Sequence, residues 1–587
     1  MSKKKAYNLI IDLLVFLQIF IFAFSIILSK EISNLDEIWN YNTARQIMLG
    51  NLPYKNLSMI TTPLLPFIVS IFLKLFGDEL LTFRIISAFI LTILFFMMYK
   101  IIFNATKNKV YSIISTSLIM IIFKGNFALD YNIFAVLINL LILYIELSFK
   151  DTKPKRKIFN YNFCIGLLAG LAFLTKQTIG CFIILEVCLI QFICAENDKE
   201  LKANARKYFR NLLIRILGIF ITIFIFALYL IISNSLSDFI DYAVLGLKTF
   251  SNKIPYRSLF ENNKLIIKIL SVILPIFFVE ELIRKIVLAI IFNKKEQSNS
   301  TIASSINNVQ QNNLNVNSKN DSEEIFKNNI GHKSNLDYVF YYSIFMIIIE
   351  YPITDENHFL IANLFLLMYG LIMIFNLKYI ENFKMLTESN IESYIKNSNE
   401  NNDYSNTQRK NLNEKNSSKI KSNKVEKLNT LLNVFYSIML AITICVLNVM
   451  SYNNFKTYQK FNVSKNVNHY KNLYVSQYLI DRINSIDDVI KNNQNKTIYI
   501  VDAEAAIYDI PLDRYYKNYD MFLNGNIGKD GADGIIEDIK NSKDSIYMIK
   551  KNGLSLNWQT PTKALDYIKK NLKYIGSTNI FDIYEKE

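Results

Sequence analysis

Apolar residues along this 587-residue chain fall into long uninterrupted runs separated by polar segments. Runs such as 9–28 and 80–103 are long enough to cross a hydrocarbon core of about 30 Å as helices. The pattern predicts a polytopic α-helical membrane protein with about 11 transmembrane helices. We expect the spans at about 8–28, 80–103, 110–124, 132–149, 161–175, 178–195, 211–233, 264–284, 338–351, 358–377 and 429–451.

The charges between the runs predict the orientation of the chain. Lys3, Lys4 and Lys5 precede the first run, which is too long for the apolar part of a signal peptide and lacks a cleavage site. The loops at 150–157 and 199–210 are basic and fall on the same side by alternation. We therefore expect an uncleaved multi-pass protein of a bacterial cell membrane, with its N-terminus in the cytoplasm.

Polar tracts divide the chain into domains. Asn-, Ser- and Lys-rich segments at about 294–335 and 384–428 have too little apolar surface to fold, so we expect both to be disordered in the cytoplasm. Residues 1–383 would form the catalytic membrane module, and 429–451 the last span. Strand patterns interspersed with helical ones predict a small extracytoplasmic α/β domain at 452–587, with strands at 497–502, 545–551 and 580–586.

Composition argues against two other classes of site. The net charge of +15 comes mainly from basic residues between apolar runs, where membrane topology explains them, so we expect no nucleic-acid partner. All five cysteines lie inside apolar runs, and the three histidines, His332, His358 and His469, lie in different segments. We therefore expect no metal or other cofactor; a divalent metal is conceivable but has no support in the sequence.

The first loop outside the membrane, residues 29–79, is the densest in polar groups. Its apolar stretch 63–76 is too short to span and is expected to lie at the interface or re-enter the membrane. Asp36 and Glu37 directly follow the first span, where ionisable groups are costly unless they pair or face water. If this segment is helical, Asp36 shares a face with Trp39. Asp36 is equally interpretable as a helix cap, and the two roles are compatible.

This loop resembles the GT-C superfamily of membrane glycosyltransferases, in the branch of aminoarabinose transferases and protein O-mannosyltransferases. The resemblance covers about the first 380 residues. The residues that carry it are Asp36-Glu37, Ala44-Arg45, Gly50, Pro53-Tyr54, Thr62-Pro63-Leu64, Phe76-Gly77, Arg84, Asp130-Tyr131-Asn132, the segment GLLAGLAFLTKQTIG (166–180) and the segment YPITDENHF (351–359).

The resemblance implies an enzyme that moves a sugar from a polyprenyl-phosphate donor to an envelope glycan, lipid or protein by a single inverting displacement on the outer face. Asp36 would be the general base, with Glu37 sharing that role or positioning the acceptor. Thr61-Thr62-Pro63-Leu64 stands where aminoarabinose transferases carry a Lys before two prolines, so Lys55 or Lys176 would replace that phosphate contact. The donor phosphate and sugar would be bound by Arg45, Arg84, Asp130, Lys176, Gln177, Asp355 and His358.

Alternative interpretations remain open at this point. Asp130 is also a candidate helix cap, Lys176 could extend to the lipid headgroups, and the aromatic-rich segment 513–522 suits either a glycan contact or the fold. A transporter or flippase for lipid-linked saccharides is the alternative function, and Glu186 inside a span is the residue that would fit ion translocation. An inactive scaffold whose outer domain binds a partner is the third.

Overall fold

The computed structural model describes residues 3–33, 35–124, 128–149, 155–193, 198–249, 407–461, 463–464, 466–551 and 560–586, with short helical pieces between 338 and 372. Predicted spans at 264–284, 338–351 and 358–377, and the polar tract 294–335, lie wholly or mostly outside the described residues. The membrane helices before the gap are α1 (Lys3–Leu28), α2 (Leu35–Met48), α3 (Leu64–Phe76), α4 (Leu80–Thr106), α5 (Lys109–Phe123), α6 (Tyr131–Phe149), α7 (Lys155–Thr175), α8 (Gln177–Ile193) and α9 (Asp198–Ile232).

Nine apolar segments within the described residues follow the predicted hydrophobic runs. Five of them, in α1, α4, α6, α9 and a later helix at Asn433–Lys460, are long and apolar enough to cross a membrane. Four are shorter, at Leu64–Phe76, Lys109–Phe123, Phe159–Thr175 and Gln177–Ile193. The first of these is the stretch predicted to be too short to span.

Helix ends differ from the predictions more than helix centres do. Helix α9 begins at Asp198, so the basic segment predicted as a loop before 211 continues the helix. Helix α11 runs from Thr407 to Lys460, so residues 407–428, predicted as disordered linker, are helical. This stretch contains neither Gly nor Pro. A helix already formed in the apolar span extends at the cost of one residue per hydrogen bond, without a new nucleus.

After α9 the chain makes a short irregular helix. It begins as α10 (Leu236–Phe239), continues as a π-helix over Ile240–Leu245 and ends as a 3-10 turn over Gly246–Thr249. Wide turns of this kind leave backbone carbonyls available to partners outside the helix. The carbonyl of Ala243 is one of them, and it accepts a hydrogen bond from the Gln177 side chain.

The C-terminal region is a small α/β structure. Strand β1 (Val463–Ser464) pairs with β2 (Leu473–Tyr474), and a second sheet has the order β3-β4-β6-β5. Strands β3 and β4 are parallel, whereas β6 is antiparallel to both of its neighbours. The remaining elements are β3 (Thr497–Ile500), β4 (Ser545–Lys550), β5 (Lys573–Ser577) and β6 (Phe581–Lys586), with helices α12 (Gln477–Asn492), α13 (Ala505–Asp509), α14 (Gly531–Asn541) and α15 (Thr562–Asn571).

The core of this α/β region lies between the sheet and helices α14 and α15. Ile535 and Ile539 of α14 and Ile568 of α15 pack against Tyr547 of β4. All four are buried, as expected for helices that are apolar only on the face that packs against the sheet.

The C-terminal region and residues 1–253 form one compact unit, and residues 254–378 form a second. Helix α11 packs against α1 and α5. Its C-terminal end carries the α/β region to the end of the bundle where α1 is followed by the first loop. There the His469 carbonyl accepts a hydrogen bond from the Leu80 backbone N–H at 2.9 Å.

Ionisable groups inside the bundle are paired. Arg215 of α9 lies 2.6 Å from Glu146 of α6, and both side chains are 2% exposed. Its Nε also donates to the Asn162 side chain at 2.8 Å. Glu186 of α8 accepts a hydrogen bond from the Asn139 amide at 3.0 Å. A buried acid held by a neighbouring helix is explained by packing alone, so Glu186 gives ion translocation no added support.

Glycines allow α7 and α9 to approach closely. A Cβ atom added at Gly166 would stand 2.1 Å from the Arg215 carbonyl oxygen, and one at Gly218 would stand 2.6 Å from the Phe163 carbonyl oxygen. Gly170, four residues after Gly166, has the same relation to Thr222 at 2.6 Å. This is the small-residue spacing by which membrane helices pack at short distance.

Candidate active site

Helix α2 begins one short turn after the end of α1 and carries Asp36 in its first turn. Its side chain is partly exposed, and the Asn40 side chain donates to the Asp36 carbonyl at 2.7 Å. A negatively charged side chain in the first turn of a helix is stabilised by the helix dipole. Because the helix starts at Leu35, Asp36 lies inside it rather than at the predicted cap position. On the same face, the Trp39 Nε1–H donates to the Ala503 carbonyl at 3.2 Å.

Glu37, the next residue, is buried against Arg84 at the start of α4. The Arg84 Nε and Nη2 atoms each lie 2.9 Å from a Glu37 carboxylate oxygen. Arg84 is 0% exposed and also donates to the carbonyl of Lys30 at 2.8 Å. This two-point ion pair joins α2 to α4. The hydrogen bond to Lys30 ties both helices to the chain just after α1. The donors of Arg84 are therefore occupied by protein partners, and Glu37 helps to hold the first loop in place. The phosphate contact of Arg84 and the catalytic role of Glu37 stay predictions.

Arg45, near the end of α2, is also committed to protein partners. Its Nε donates to Asp78 at 2.9 Å, and its Nη2 contacts Asp513 and lies 3.0 Å from His469 Nε2. Arg45 is 4% exposed, and its contact with the donor phosphate stays a prediction. His469 Nδ1 lies 2.7 Å from the Asp78 carbonyl, which can only accept, so Nδ1 carries the hydrogen.

The two acids of this cluster differ in their surroundings. Asp78 is 22% exposed and Asp513 is 57% exposed. Partial burial alone raises the pKa of Asp513, but hydrogen bonds and charge from His469 and Arg45 outweigh it, and the net pKa is lowered. Asp513 therefore stays ionised beside Arg45.

The second half of the first loop is held by hydrogen bonds to the membrane helices. Tyr54 adopts a left-handed backbone conformation, with φ of 66°, and its hydroxyl donates to the Thr61 carbonyl at 2.9 Å. The Thr62 hydroxyl donates to the Phe173 carbonyl of α7 at 2.7 Å. Thr62 is 1% exposed. The Thr-Thr-Pro-Leu element that departs from the family pattern thus fastens the loop to α7. Lys55, the suggested substitute, reaches the Ser233 carbonyl at 3.5 Å.

Lys176 lies at the one-residue turn between α7 and α8. Its Nζ donates to the Asn132 side chain at 2.6 Å and lies 4.9 Å from the centre of the Tyr131 ring. The turn is tight because Gly180 has no Cβ, which would otherwise stand 2.1 Å from Phe173 Cα. Lys176 is thereby placed at the N-terminus of α6, where Asn132 and the Tyr131 ring orient it.

Asp130 precedes α6 and caps it. Its Oδ1 accepts a hydrogen bond from the Ile133 backbone N–H at 2.8 Å. The helix-cap interpretation is thus present in the structure. Because Asp130 lies two residues from Asn132, the same turn brings it to the neighbourhood of Lys176; a sugar contact by Asp130 stays a prediction.

Gln177 links three segments at the same end of the bundle. Its Nε2 donates to the Ile60 carbonyl at 2.6 Å and to the Ala243 carbonyl at 3.0 Å. It therefore ties the α7–α8 turn to the first loop and to the π-helix after α9. Both amide hydrogens are used, so Gln177 acts as a framework residue here.

The structure brings together the first loop, the turn before α6, the α7–α8 turn and the segment after α9. This is the set of turns that charge alternation predicts on one face. Asp355 and His358, the remaining predicted site residues, lie outside the described residues. Among the residues that the structure does describe, no cluster of three or more His, Cys, Asp or Glu side chains suits a metal ion.

Sequence reasoning missed the contribution of the C-terminal region to this end of the bundle. His469, Asp513 and Lys517 contact the first loop, although more than 390 residues separate them from it. The segment 513–522 gave a signal through its aromatic and charged content. Of the two interpretations left open for it, the structure supports a role in the fold.

Comparison with known proteins identifies the architecture. Residues 61–229 match the family model described as dolichyl-phosphate-mannose-protein mannosyltransferase. Two crystal structures of ArnT from Cupriavidus metallidurans are similar in fold at 10% sequence identity. The one bound to undecaprenyl phosphate aligns over 98% of this chain and 97% of its own, with a TM-score of 0.51; the apo one aligns over 100% and 98%, with a TM-score of 0.52. No curated protein matches the sequence. The resemblance predicted from the sequence is therefore confirmed, and the chain is a polytopic helical membrane protein with a fold similar to that of ArnT.

Proposed function

We propose that this chain is a membrane glycosyltransferase that moves a sugar from a polyprenyl-phosphate donor to an acceptor hydroxyl on the outer face of a bacterial cell membrane. One observation carries the proposal: Asp36 occupies the first turn of a helix fixed just beyond the first span by the buried Glu37–Arg84 pair. A carboxylate that is partly exposed and rigidly supported has the properties of a general base. The similarity to ArnT bound to undecaprenyl phosphate supports the class of donor.

In the proposed reaction Asp36 takes the proton of the acceptor hydroxyl. The acceptor oxygen forms a bond to the anomeric carbon as the bond from that carbon to the phosphate oxygen breaks. The electron pair leaves with the polyprenyl phosphate, and one displacement inverts the anomeric configuration. Lys176 is proposed to stabilise the leaving phosphate by charge-assisted hydrogen bonding, since its ammonium is held at the N-terminus of α6 beside Asn132.

The acceptor is proposed to be a glycan, lipid or protein of the cell envelope. This follows from the proposed outer-face site, where such acceptors are accessible. Comparing envelope glycans from cells with and without the protein would identify it: a missing sugar substituent is expected in the deficient cells.

The central test is transfer of radiolabelled sugar from a polyprenyl-phosphate donor in membranes containing Asp36→Asn. We expect transfer to fall by about 100-fold or more, within the range that a positioned base contributes. Glu31→Gln is the matched control, because Glu31 is an exposed acid of the same loop, and it should retain transfer. Retained transfer by Asp36→Asn at normal expression would remove Asp36 from the role of base.

A further inference from the structure

The C-terminal region contacts the first loop through a short segment, residues 513–526, which we name the clamp segment. Lys517 is its first contact. The Lys517 Nζ donates to the carbonyls of Tyr54 and Lys55, at 2.8 and 2.9 Å. It also lies 4.7 Å from the centre of the Tyr242 ring. Burial lowers the pKa of Lys517, although nearby acids oppose that effect. The ammonium thus closes the left-handed turn at Tyr54.

Ser58 is the second contact. Its hydroxyl donates to Asp520 at 3.2 Å and accepts from the Asn518 backbone N–H at 3.2 Å. Its own backbone N–H lies 3.3 Å from the Tyr515 hydroxyl. Ser58 is 4% exposed and Asp520 is 6% exposed. A buried serine with partners for its hydroxyl and amide fixes the loop backbone at this point.

Two further contacts hold the ends of the loop. At its start, Trp39, which lies three residues after Asp36, donates to the Ala503 carbonyl. At its end, Arg45 and Asp78 meet His469 and Asp513. The segment from 36 to 80 is therefore held at its beginning, middle and end by residues between 469 and 526.

The same segment also anchors the π-helix after α9. The Tyr242 hydroxyl donates to the Asn518 side chain at 2.7 Å. Just beyond the clamp segment, the Lys529 backbone N–H donates to Asp241 at 2.8 Å. Since Gln177 joins Ala243 to Ile60, the clamp segment supports the first loop both directly and through the π-helix. A displacement of this segment would therefore reach two parts of the proposed site.

We propose that the clamp segment positions the first loop for sugar transfer, with Lys517 as a positioning residue. This inference rests on the proposed function of Asp36. Lys517 contacts neither the proposed base nor the leaving group; it acts by fixing the backbone of the loop that carries Asp36. The C-terminal region is then part of the catalytic framework and not a separate binding module.

Hydrogen–deuterium exchange on the full-length protein in detergent tests the positioning directly. The variants are Lys517→Met, which keeps the apolar stem, and Ser58→Ala, which breaks the second contact from the loop side. Lys563→Met is the control, because Lys563 is exposed and pairs only with Asp533 of the same region. We expect faster exchange in peptides covering 35–62 for the first two variants, with β3 and β4 still protected, and no change for the control.

Kinetics supply the second readout. For Lys517→Met we expect kcat to fall by about 10- to 100-fold with the donor KM changed less than about threefold, as expected when alignment and not binding is lost. Lys517→Arg should restore part of kcat. Unchanged exchange in 35–62 would overturn the inference, and so would equal loss of protection in β3 and β4, which means general unfolding. Exchange needs no catalysis, so altered exchange in a protein without transfer activity would count against the proposed function alone.

Discussion

At the residue scale, three arginines in this chain show how burial decides a role. Arg84, Arg45 and Arg215 are each at most 4% exposed, and each meets a carboxylate from another segment of the chain. Sequence alone singles out Arg84 and Arg45 but does not show these ion pairs, and their phosphate contacts stay predictions. The reason is that a pattern of charges along the sequence does not show which carboxylate pairs with a given guanidinium. A guanidinium can bind a phosphate only with donors that no carboxylate occupies.

The Glu37–Arg84 pair gives a stability prediction. Arg84→Met leaves the Glu37 carboxylate buried without its partner, and we expect the free energy of unfolding to fall by about 3–5 kcal/mol. Thermal unfolding of the purified protein measures it. The double variant Glu37→Gln, Arg84→Met should lose less than the sum of the single changes. If Arg84→Met had normal stability and a raised donor KM, that result would instead support a contact between Arg84 and the donor phosphate.

Asp520 gives a pH prediction. Burial, the main cause, raises the pKa of Asp520 from 3.8 to about 7, partly offset by the hydrogen bond from Ser58. Between these two values the folded protein holds a proton that the unfolded chain releases. The free energy of unfolding should therefore decrease as the pH rises from about 4 to about 7 and level off above. Asp509, with a pKa raised by burial to about 6, acts in the same sense.

Asp520→Asn checks this, since asparagine has no proton to lose. Thermal unfolding across pH 4 to about 8 should show a shallower decrease in this variant than in the natural protein. Asp481→Asn, at an exposed position of α12, serves as the control. An identical pH profile for Asp520→Asn and the natural protein would refute the assignment.

At the element scale, the close contact of α7 and α9 gives the sharpest prediction. Gly166→Ala places a methyl group 2.1 Å from the Arg215 carbonyl oxygen, a distance that backbone atoms must move to relieve. We expect a loss of at least about 1–3 kcal/mol in the free energy of unfolding, as for other overpacked cores. Leu217→Ala is the control, because Leu217 neighbours Gly218 but is 44% exposed. Equal melting temperatures for both variants would contradict this packing.

The elements also show what could be predicted from the sequence and why the rest could not. The apolar centres of α1, α4 and α6 follow directly from hydropathy, because the bilayer admits only backbones that satisfy their own hydrogen bonds. The N-terminal extension of α11 does not follow, since polar residues without Gly or Pro are compatible with both helix and coil. Asp36 and Lys176 can be proposed as site residues from their positions next to predicted spans. Lys517 was not, because its partners are two backbone carbonyls, which leave no trace in sequence patterning.

At the scale of the whole molecule, an experiment can determine on which side of the membrane the C-terminal region and the first loop lie. Charge alternation predicts that the C-terminal region is outside, and its contacts with the first loop require both to share one face. In intact cells, Lys563→Cys should react with a membrane-impermeant maleimide, since Lys563 is 66% exposed. The natural protein supplies the background from its own cysteines. Labelling that appears only after the cells are opened would place both the C-terminal region and the first loop in the cytoplasm.

The ion pair between Arg45 and Asp513 has a consequence for biosynthesis. The two residues are 468 positions apart, so a ribosome working at about 5–20 residues per second makes the second roughly 25–90 seconds after the first. During that interval the nascent first loop lacks its contacts with residues 513–526. A chain interrupted before its last hundred residues would be inserted in the membrane yet immature, with a buried guanidinium still short of a partner. The contact between Arg45 and Asp513 therefore forms only after residue 513 has been synthesised, and full assembly of the first loop follows that step.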